Sequence, residues 1–356
     1  MAPRRSPPLL HALALVAPGQ PLREGIDRIL QAGMGGLIVI GDGPEVLNIC
    51  SGGFLLDAAF SPQRLSELAK MDGATILASD ASRIARANVH LVPNPSVATA
   101  ETGTRHRTAE RVARSINVAV ITISQRMATI AVYVGGDKHE IEPVARTLNR
   151  ANQALQTLER YKARLDAEAT TLSALEVEDM VTMRDVVTVL QRTEMVGRIA
   201  DEIEGYIIEL GEDGRLARLQ LEELLGGADF DRRLVVRDYR NEHSSLSLEE
   251  TLEALAALDT DALLDLSSLA EVLGVPAGPD LDLGVPPRGY RMLSRIPRLP
   301  EAIIEKIVHR FGSLQKLMRA TMDDLDDVEG VGETRARAIK DGLARLAETT
   351  IMDRYT

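Results

Sequence analysis

Near Glu142 the hydrophobic pattern of this chain changes period, and that change limits what it can fold into. Before it come short apolar runs separated by turn residues. "GGLIVIGD" (Gly35–Asp42) is continuous and apolar, the pattern of a strand buried on both faces. "ATILASDASRIARANVHLV" reads as two strands about a turn at Ser79–Ser82. "VAVITISQRMATIAVYVGGD" reads as another pair about Gln125 and Arg126. After the change, Leu148 and Leu155, then Leu158, Leu165 and Leu172, recur every seven residues among charged neighbours, which marks one face of a long helix. The expectation is an α/β N-terminal domain with a central mixed sheet, followed by an all-α spine.

Charge follows the same division. Residues 1–150 hold 16 Lys and Arg against 13 Asp and Glu, a net of +3. Residues 151–285 hold 12 against 29, or −17, and residues 286–356 hold 13 against 11, or +2. The overall −12 therefore resides in the middle, and both ends are able to meet polyanions. The acidic middle reads as the solvated surface of a helical spine. The single cysteine, Cys50, excludes an internal disulfide framework and fits a reducing compartment. Six histidines without a Cys/His cluster argue against a structural zinc site, and the absence of Trp argues against an aromatic base-stacking platform.

"MAPRRSPPLLHALALVAPG" superficially resembles an export signal, but its apolar run is short, contains His11 and leads into helically spaced Leu22, Ile26, Ile29 and Leu30. Residues 1–8 read as a flexible tail and 9–31 as helix. No run is long enough to span a bilayer, so the expected location is the cytoplasm with no membrane partner. The Pro- and Gly-rich stretch 274–289 reads as a linker. The expected divisions are then 9–147 for the α/β domain, 148–285 for the spine and linker, and 286–356 for a last domain.

Three short stretches carry chemistry. In "ETGTRHRTAERVARS", Arg105, His106 and Arg107 lie between Thr104 and Thr108 at the entry to a helix. Guanidinium forks match phosphate oxygens, and a helix N-terminus adds backbone N–H donors; a solvated basic loop is the alternative. In "KMDGATIL", Asp72 and Gly73 precede a strand. This is an ordinary Asp-Gly turn, or a carboxylate placed for a divalent cation beside a glycine that lets a nucleotide meet backbone. In "TMDDLDDVEGVGETRARAIKDGLARL", Gly330, Val331 and Gly332 form a Gly-apolar-Gly turn between two helical stretches, with Arg335, Arg337 and Lys340 beyond it. That is the pattern of a helix–hairpin–helix, which binds DNA through its phosphates without reading sequence. A protein-interaction module is the alternative. Upstream, "SRIPRLPEAIIEKIVHRFGSLQKLMRAT" has the spacing of a companion hairpin, but Pro297 and Pro300 stand near the expected glycines, so packing rather than phosphate contact is expected there.

Asp72-Gly73-Ala74, then Gly103-Thr104-Arg105-His106-Arg107-Thr108, ahead of a helical spine and a terminal hairpin, resembles the DNA integrity scanning family of diadenylate cyclases, in particular its actinobacterial members. The resemblance covers nearly the whole chain in the same order. It implies condensation of two ATP into cyclic di-AMP with release of two pyrophosphates. It also implies a homo-octamer with cyclase domains paired face to face, and branched or damaged DNA as a partner in a genome-integrity checkpoint. Carried onto this sequence, Asp72 holds Mg²⁺ or Mn²⁺ and orients or deprotonates the 3′-hydroxyl. Gly73 and Leu91 line the nucleoside. Thr104, Arg105, His106, Arg107 and Thr108 bind the triphosphate, and Ser124 and Arg126 are further phosphate or metal candidates.

Each ATP in such a ring closure is both nucleophile and electrophile, so two sites must meet across a two-fold axis. The other reading is a non-catalytic, nucleotide-sensing DNA-binding scaffold, which would leave ATP unchanged. A repair nuclease is disfavoured because the N-terminal region has no acidic cluster for two metals. The P-loop pattern is absent, and "GMGGLIVIGDG" lacks dinucleotide-site spacing.

Overall fold

The structure is a computed structural model and describes residues 5–226, 228–241, 244–276, 278 and 280–354. It divides into two compact units. One holds the residues up to Leu155 together with Asp201–Leu221; the other holds Gln156–Ala200 together with the residues from Glu222 on.

The N-terminal unit begins with helices α1 (Pro7–Leu15) and α2 (Pro21–Gln31). Strand β1 (Gly36–Ile40), helix α3 (Pro44–Asn48), strands β2 (Cys50–Ser51) and β3 (Phe54–Ala59) and helix α4 (Pro62–Leu68) follow. Then come β4 (Ala74–Leu77), β5 (Arg83–Leu91), α5 (Thr104–Ile116), β6 (Ala119–Ser124), β7 (Thr129–Val134) and β8 (Asp137–Ile141). Among the described residues the strands lie in the order β2-β5-β4-β1-β6-β7-β8, with β3 also paired to β5. β1 and β4 are parallel and their other pairings antiparallel, so the sheet is mixed.

Alternation along the strands explains the unbroken apolar run in β1. Ile38 and Ile40 join Leu13, Ile26, Ile29 and Leu65 of α1, α2 and α4 in one core. Leu37 and Val39 join Val112 and Ala113 of α5 in a second core on the other face. A strand with helices on both faces has no side left for polar residues.

Several expectations need correction here. Residues 9–31 are not one helix: the chain turns at Val16–Gln20, where Gly19 has φ +88°, and Pro21 restarts it. Residues 5–8 are not a free tail, whereas residues 1–4 lie outside the described residues. Arg5 donates to the Gly205 carbonyl (2.9 Å) and pairs with Glu209 (3.0 Å), Ser6 donates to Asp137 (2.5 Å), and Pro7 starts α1. Strands β2, β3 and β8 are absent from the sequence reading: β2 has two residues, β8 is largely polar, and β3 (FLLDAA) holds its apolar side chains exposed at a sheet edge rather than in a core.

Beyond β8 run α6 (Val144–Glu178) and α7 (Met183–Leu210). At 35 residues, α6 is about 52 Å long. Of the heptad leucines, Leu155, Leu158, Leu165 and Leu172 are buried and Leu148 is partly so. The contacts do not follow the expected boundary at 147, because the end of α7 packs with the N-terminal unit. There Glu209, buried, takes Arg5 and His139 Nε2 (3.0 Å each). Its carboxyl is pushed up by burial, but the bond from His139 and the charge of Arg5 outweigh this and hold it below the usual range.

The second unit contains α8 (Arg215–Leu225) in part, then α9 (Ala228–Tyr239), α10 (Leu248–Ala257), α11 (Thr260–Leu264) and α12 (Leu266–Val272). The acidic middle is not wholly solvated: Glu176 and Asp238 are buried. The expected linker is also tied down. Leu281 and Leu283 accept from the N–H groups of Arg184 and Met183, and Val285 donates to Val181; residues 277 and 279 lie outside the described residues.

The chain ends in α13 (Tyr290–Ser294), α14 (Glu301–Phe311), α15 (Leu314–Arg319), α16 (Met322–Asp326) and α17 (Glu333–Arg354), which share one core. α13–α14 and α16–α17 are two hairpins of one design. Leu293 and Leu325, Ile296 and Val328, and Ile307 and Ile339 are each 32 positions apart, and all six are buried. Arg298, at φ +63°, occupies the left-handed turn position that Gly330, at φ +87°, holds in the second hairpin. The first hairpin therefore has the full hairpin backbone despite its prolines.

Among the described residues no helix is long and apolar enough to cross a membrane.

Candidate functional site

One edge of the sheet opens into a cleft of about 810 Å³. The starts of β1 and β4 and the ends of β5 and β6 reach it, and the first turn of α5 closes one wall. This arrangement follows from the pairing, since β1 and β4 run parallel while β5 and β6 run against them.

The cleft brings together most of the candidates. Asp72, Gly73, Leu91, Thr104, Arg105, His106, Thr108, Ser124 and Arg126 all line it. Arg107 does not. It is exposed, about 200° round α5 from Arg105, so the two guanidiniums cannot grip the same group from that helix.

Asp72 and Arg105 face each other, with Arg105 Nη2 at 3.0 Å from Asp72 Oδ1. The Asp72 side chain is 94% exposed and that of Arg105 40%. So open an ion pair is weakly held and easily exchanged for ligand contacts. Gly103 caps α5 in extended conformation (φ −80°, ψ 141°) and has no side chain to cover the first turn. The N–H groups there and the positive end of the helix therefore face the cleft beside Arg105, a setting that favours an anion.

Two glycines fit this arrangement for steric reasons. A Cβ on Gly73 would lie 2.7 Å from the backbone carbonyl carbon of Asn88, so the glycine of the Asp-Gly pair admits the neighbouring β5 chain. That steric role stands beside the expected contact with nucleoside, since Gly73 also lines the cleft. A Cβ on Gly35 would lie 2.5 Å from Arg105 Nη1, so Gly35 leaves the space in which the guanidinium lies. The sequence reading treated Gly35 only as a strand end.

Behind His106 lies a polar chain that the sequence reading missed. Nδ1 of His106 is 2.9 Å from the Tyr133 hydroxyl and 3.1 Å from Thr122 Oγ1. Tyr133 donates to Glu101 (3.0 Å), which pairs with Lys138 at 2.8 Å. Burial and the bond to Glu101 push the Tyr133 hydroxyl far above its ordinary range. Burial raises the Glu101 carboxyl too, but the hydrogen bonds from Lys138 and Tyr133 prevail and hold it low. The available signal was Tyr133, a lone aromatic hydroxyl in an otherwise apolar strand.

The second candidate surface is the hairpin of α16 and α17. Gly330 has left-handed backbone, and Gly332 has open space where a Cβ would stand. Arg335 is exposed and donates to the Gly330 carbonyl (2.5 Å), and Arg337 is exposed and paired with Glu333 (2.9 Å). Two candidates are otherwise engaged. The Val331 side chain is buried in the core, and Lys340 Nζ donates to the carbonyls of Met318 (3.1 Å) and Ala320 (2.6 Å), ending α15.

Comparison with known proteins agrees with this division. The family profile described as DisA bacterial checkpoint controller nucleotide-binding matches residues 23–138, and the DisA bacterial checkpoint controller linker region matches 141–281. A helix-hairpin-helix motif matches 313–342. The DNA integrity scanning protein DisA of Frankia alni is 57% identical over 96% of this chain and 96% of its own length. That of Kineococcus radiotolerans is 56% identical over 99% of each. With nucleotide-binding domain, linker and hairpin motif in the same order and at this identity, the chain belongs to the DisA family of DNA integrity scanning proteins.

Proposed function

We propose that this chain condenses two ATP into cyclic di-AMP, releasing two pyrophosphates, and that its C-terminal hairpins bind DNA. The reading rests above all on the cleft in which Asp72 meets Arg105 at the uncapped start of α5. A carboxylate and a guanidinium so exposed are ready to exchange each other for the two ends of a nucleotide. Arg105, the α5 N–H groups and Arg126 bind triphosphate, whose charge grows on the α-phosphoryl oxygens and the departing pyrophosphate. Asp72 orients the attacking 3′-hydroxyl and takes its proton. Each transfer forms one 3′-oxygen–phosphorus bond and breaks one bond to pyrophosphate.

The donor set suits a hard divalent cation. Among the described residues no three His, Cys, Asp or Glu side chains cluster as a metal cage. Mg²⁺ needs none when one carboxylate, here Asp72, is joined by phosphate oxygens and water. Bound there, Mg²⁺ or Mn²⁺ would neutralise phosphate charge.

One cleft supplies one half-reaction, so two copies must face each other, and we propose the octameric assembly of paired cyclase domains for this chain. Strand β3 exposes Phe54, Leu55 and Leu56 at the sheet edge, which supports self-association in general. We further propose that branched DNA lowers the cyclase output as a genome-integrity signal in the cytoplasm.

The test is incubation of the purified full chain with ATP and Mg²⁺ or Mn²⁺, with mass spectrometry for cyclic di-AMP. Product from the wild type and none from Asp72→Asn is expected. Unchanged ATP from folded, oligomeric protein would instead leave a nucleotide-sensing DNA binder. Equal rates with and without a four-way junction would remove the checkpoint coupling.

A further inference from the structure

His106 lines the cleft, and among the described residues the hydrogen bonds of its ring are made by Nδ1, to Tyr133 and Thr122. We propose that Tyr133 is a positioning residue for nucleotide binding and transfer, holding the His106 ring so that Nε2 faces the triphosphate; this rests on the cyclase reading above.

The hydrogen-bond chain has a direction. Tyr133 has one hydroxyl hydrogen and donates it to Glu101. Its oxygen therefore meets His106 Nδ1, 2.9 Å away, as an acceptor, and Nδ1 bears a hydrogen. Thr122 Oγ1 at 3.1 Å is available as a second acceptor for it. Nε2 is then the ring position turned to the ligand, and it gives a hydrogen to a phosphate oxygen when the ring is charged.

The four anchors come from four places: Glu101 before α5, Thr122 on β6, Tyr133 on β7 and Lys138 on β8. The ring of Tyr133 is buried, 6.2 Å from that of His106 and at 62° to it, with Lys138 Nζ 5.9 Å from its centre. A tyrosine needing only to satisfy a buried hydroxyl would be content with Glu101. Here its oxygen also fixes which nitrogen of a cleft histidine carries the hydrogen, as orienting partners of functional histidines do.

The test is a double-mutant cycle on the full chain with Tyr133→Phe, His106→Gln and both. It reads the affinity for a non-hydrolysable ATP analogue and the kcat and KM for cyclic di-AMP formation. Tyr133→Phe is expected to lower affinity or kcat/KM about tenfold, the lower end of what orienting partners contribute. Added to His106→Gln, it is expected to cost nothing more, since it acts through that ring. Glu101→Leu frees the tyrosine hydrogen to turn toward Nδ1 and is expected to give a similar loss, which covers the case of a poorly folded Tyr133→Phe. Wild-type values for both variants, or losses that multiply in the double mutant, would overturn the proposal. A wild type that forms no cyclic di-AMP would overturn the cyclase reading alone, because the binding cycle still decides the role of Tyr133.

Discussion

The two C-terminal hairpins fold the same way from different local sequences. The second has Gly330 in its left-handed turn and caps its first helix within the hairpin: Thr321 Oγ1 accepts from the N–H of Asp324, and Asp324 accepts from the N–H of Thr321. The first has Arg298 in the left-handed position, and Gly289, the counterpart of Thr321, has no side chain to cap with. Its donors are met from α9: Asp238 accepts from the N–H groups of Gly289, Tyr290 and Arg291, at 2.7–2.9 Å. Beside it Arg291 pairs with Glu176 at 2.7 Å, and Tyr239 donates to the same carboxylate at 2.7 Å. One hairpin is thus closed by local chemistry and the other by its neighbours. The apolar positions they share specify the hairpin backbone; the glycines make it easier to form.

Shortening a shared core position should show the largest effect. Leu293→Ala and Leu325→Ala are each expected to cost about 2–5 kcal/mol, with similar values at the two sites, in chemical denaturation. Widely different losses would break the equivalence. Capping should separate the hairpins. Asp238→Ala strips a buried acceptor from three N–H groups and is expected to cost about 2–4 kcal/mol, against about 1 kcal/mol for Thr321→Ala. The turn position comes next. Gly330→Ala should cost about 1–2 kcal/mol, whereas Arg298→Gly should lie within about 1 kcal/mol of the parent, because relief of left-handed strain offsets lost chain stiffness.

The two caps should also respond to pH in opposite directions. Burial, aided by the nearby charge of Glu176, pushes the Asp238 carboxyl up to about 6, against the pull of the N–H groups of Arg291 and Tyr290. A carboxyl raised by folding contributes stability at low pH, where both states are protonated, and loses it as pH rises from about 4 to about 6. Asp324 is lowered by the bonds from Thr321, so its contribution is present at neutral pH and lost as pH falls through the carboxylate range. Removing either carboxyl as Asn should flatten its own limb of a stability-against-pH curve.

Those hairpins also show why only part of the structure could be read from sequence. The glycines of the second are visible to inspection. The first is specified by Leu293, Ile296 and Ile307 and by Asp238, 52 positions upstream of its helix, and no local pattern announces that partnership. In the N-terminal unit the strands enclosed on both faces, such as β1 and β6, stand out as apolar runs. β8 lies at an edge, is largely polar and does not; β3 is apolar at Phe54–Leu56 but lies at an edge and faces solvent, so its run marks no core. For the cleft, Asp72 and Arg105 were marked by short motifs. Tyr133 and Lys138 stand behind it, behind His106, and the pairing of β7 with β8 brings them opposite each other. Arg107 lies outside the cleft of its own chain because adjacency in sequence is not adjacency on a helix.

Strand β8 combines two duties. Lys138 lies on the face that holds Glu101 behind the cleft, and the next residue, His139, lies on the opposite face and holds Glu209 at the end of α7. Because successive side chains alternate, a slip of one residue would exchange the two at once. The turn at Gly135 and Gly136 therefore has no freedom of length, and freedom of composition only at Gly136, which is exposed with open space around it. Gly135 has φ +56°, and a Cβ there would lie 3.2 Å from Asn117 Oδ1. Gly136 can be replaced, while a single insertion or deletion in the turn would uncouple the cleft and the helix together.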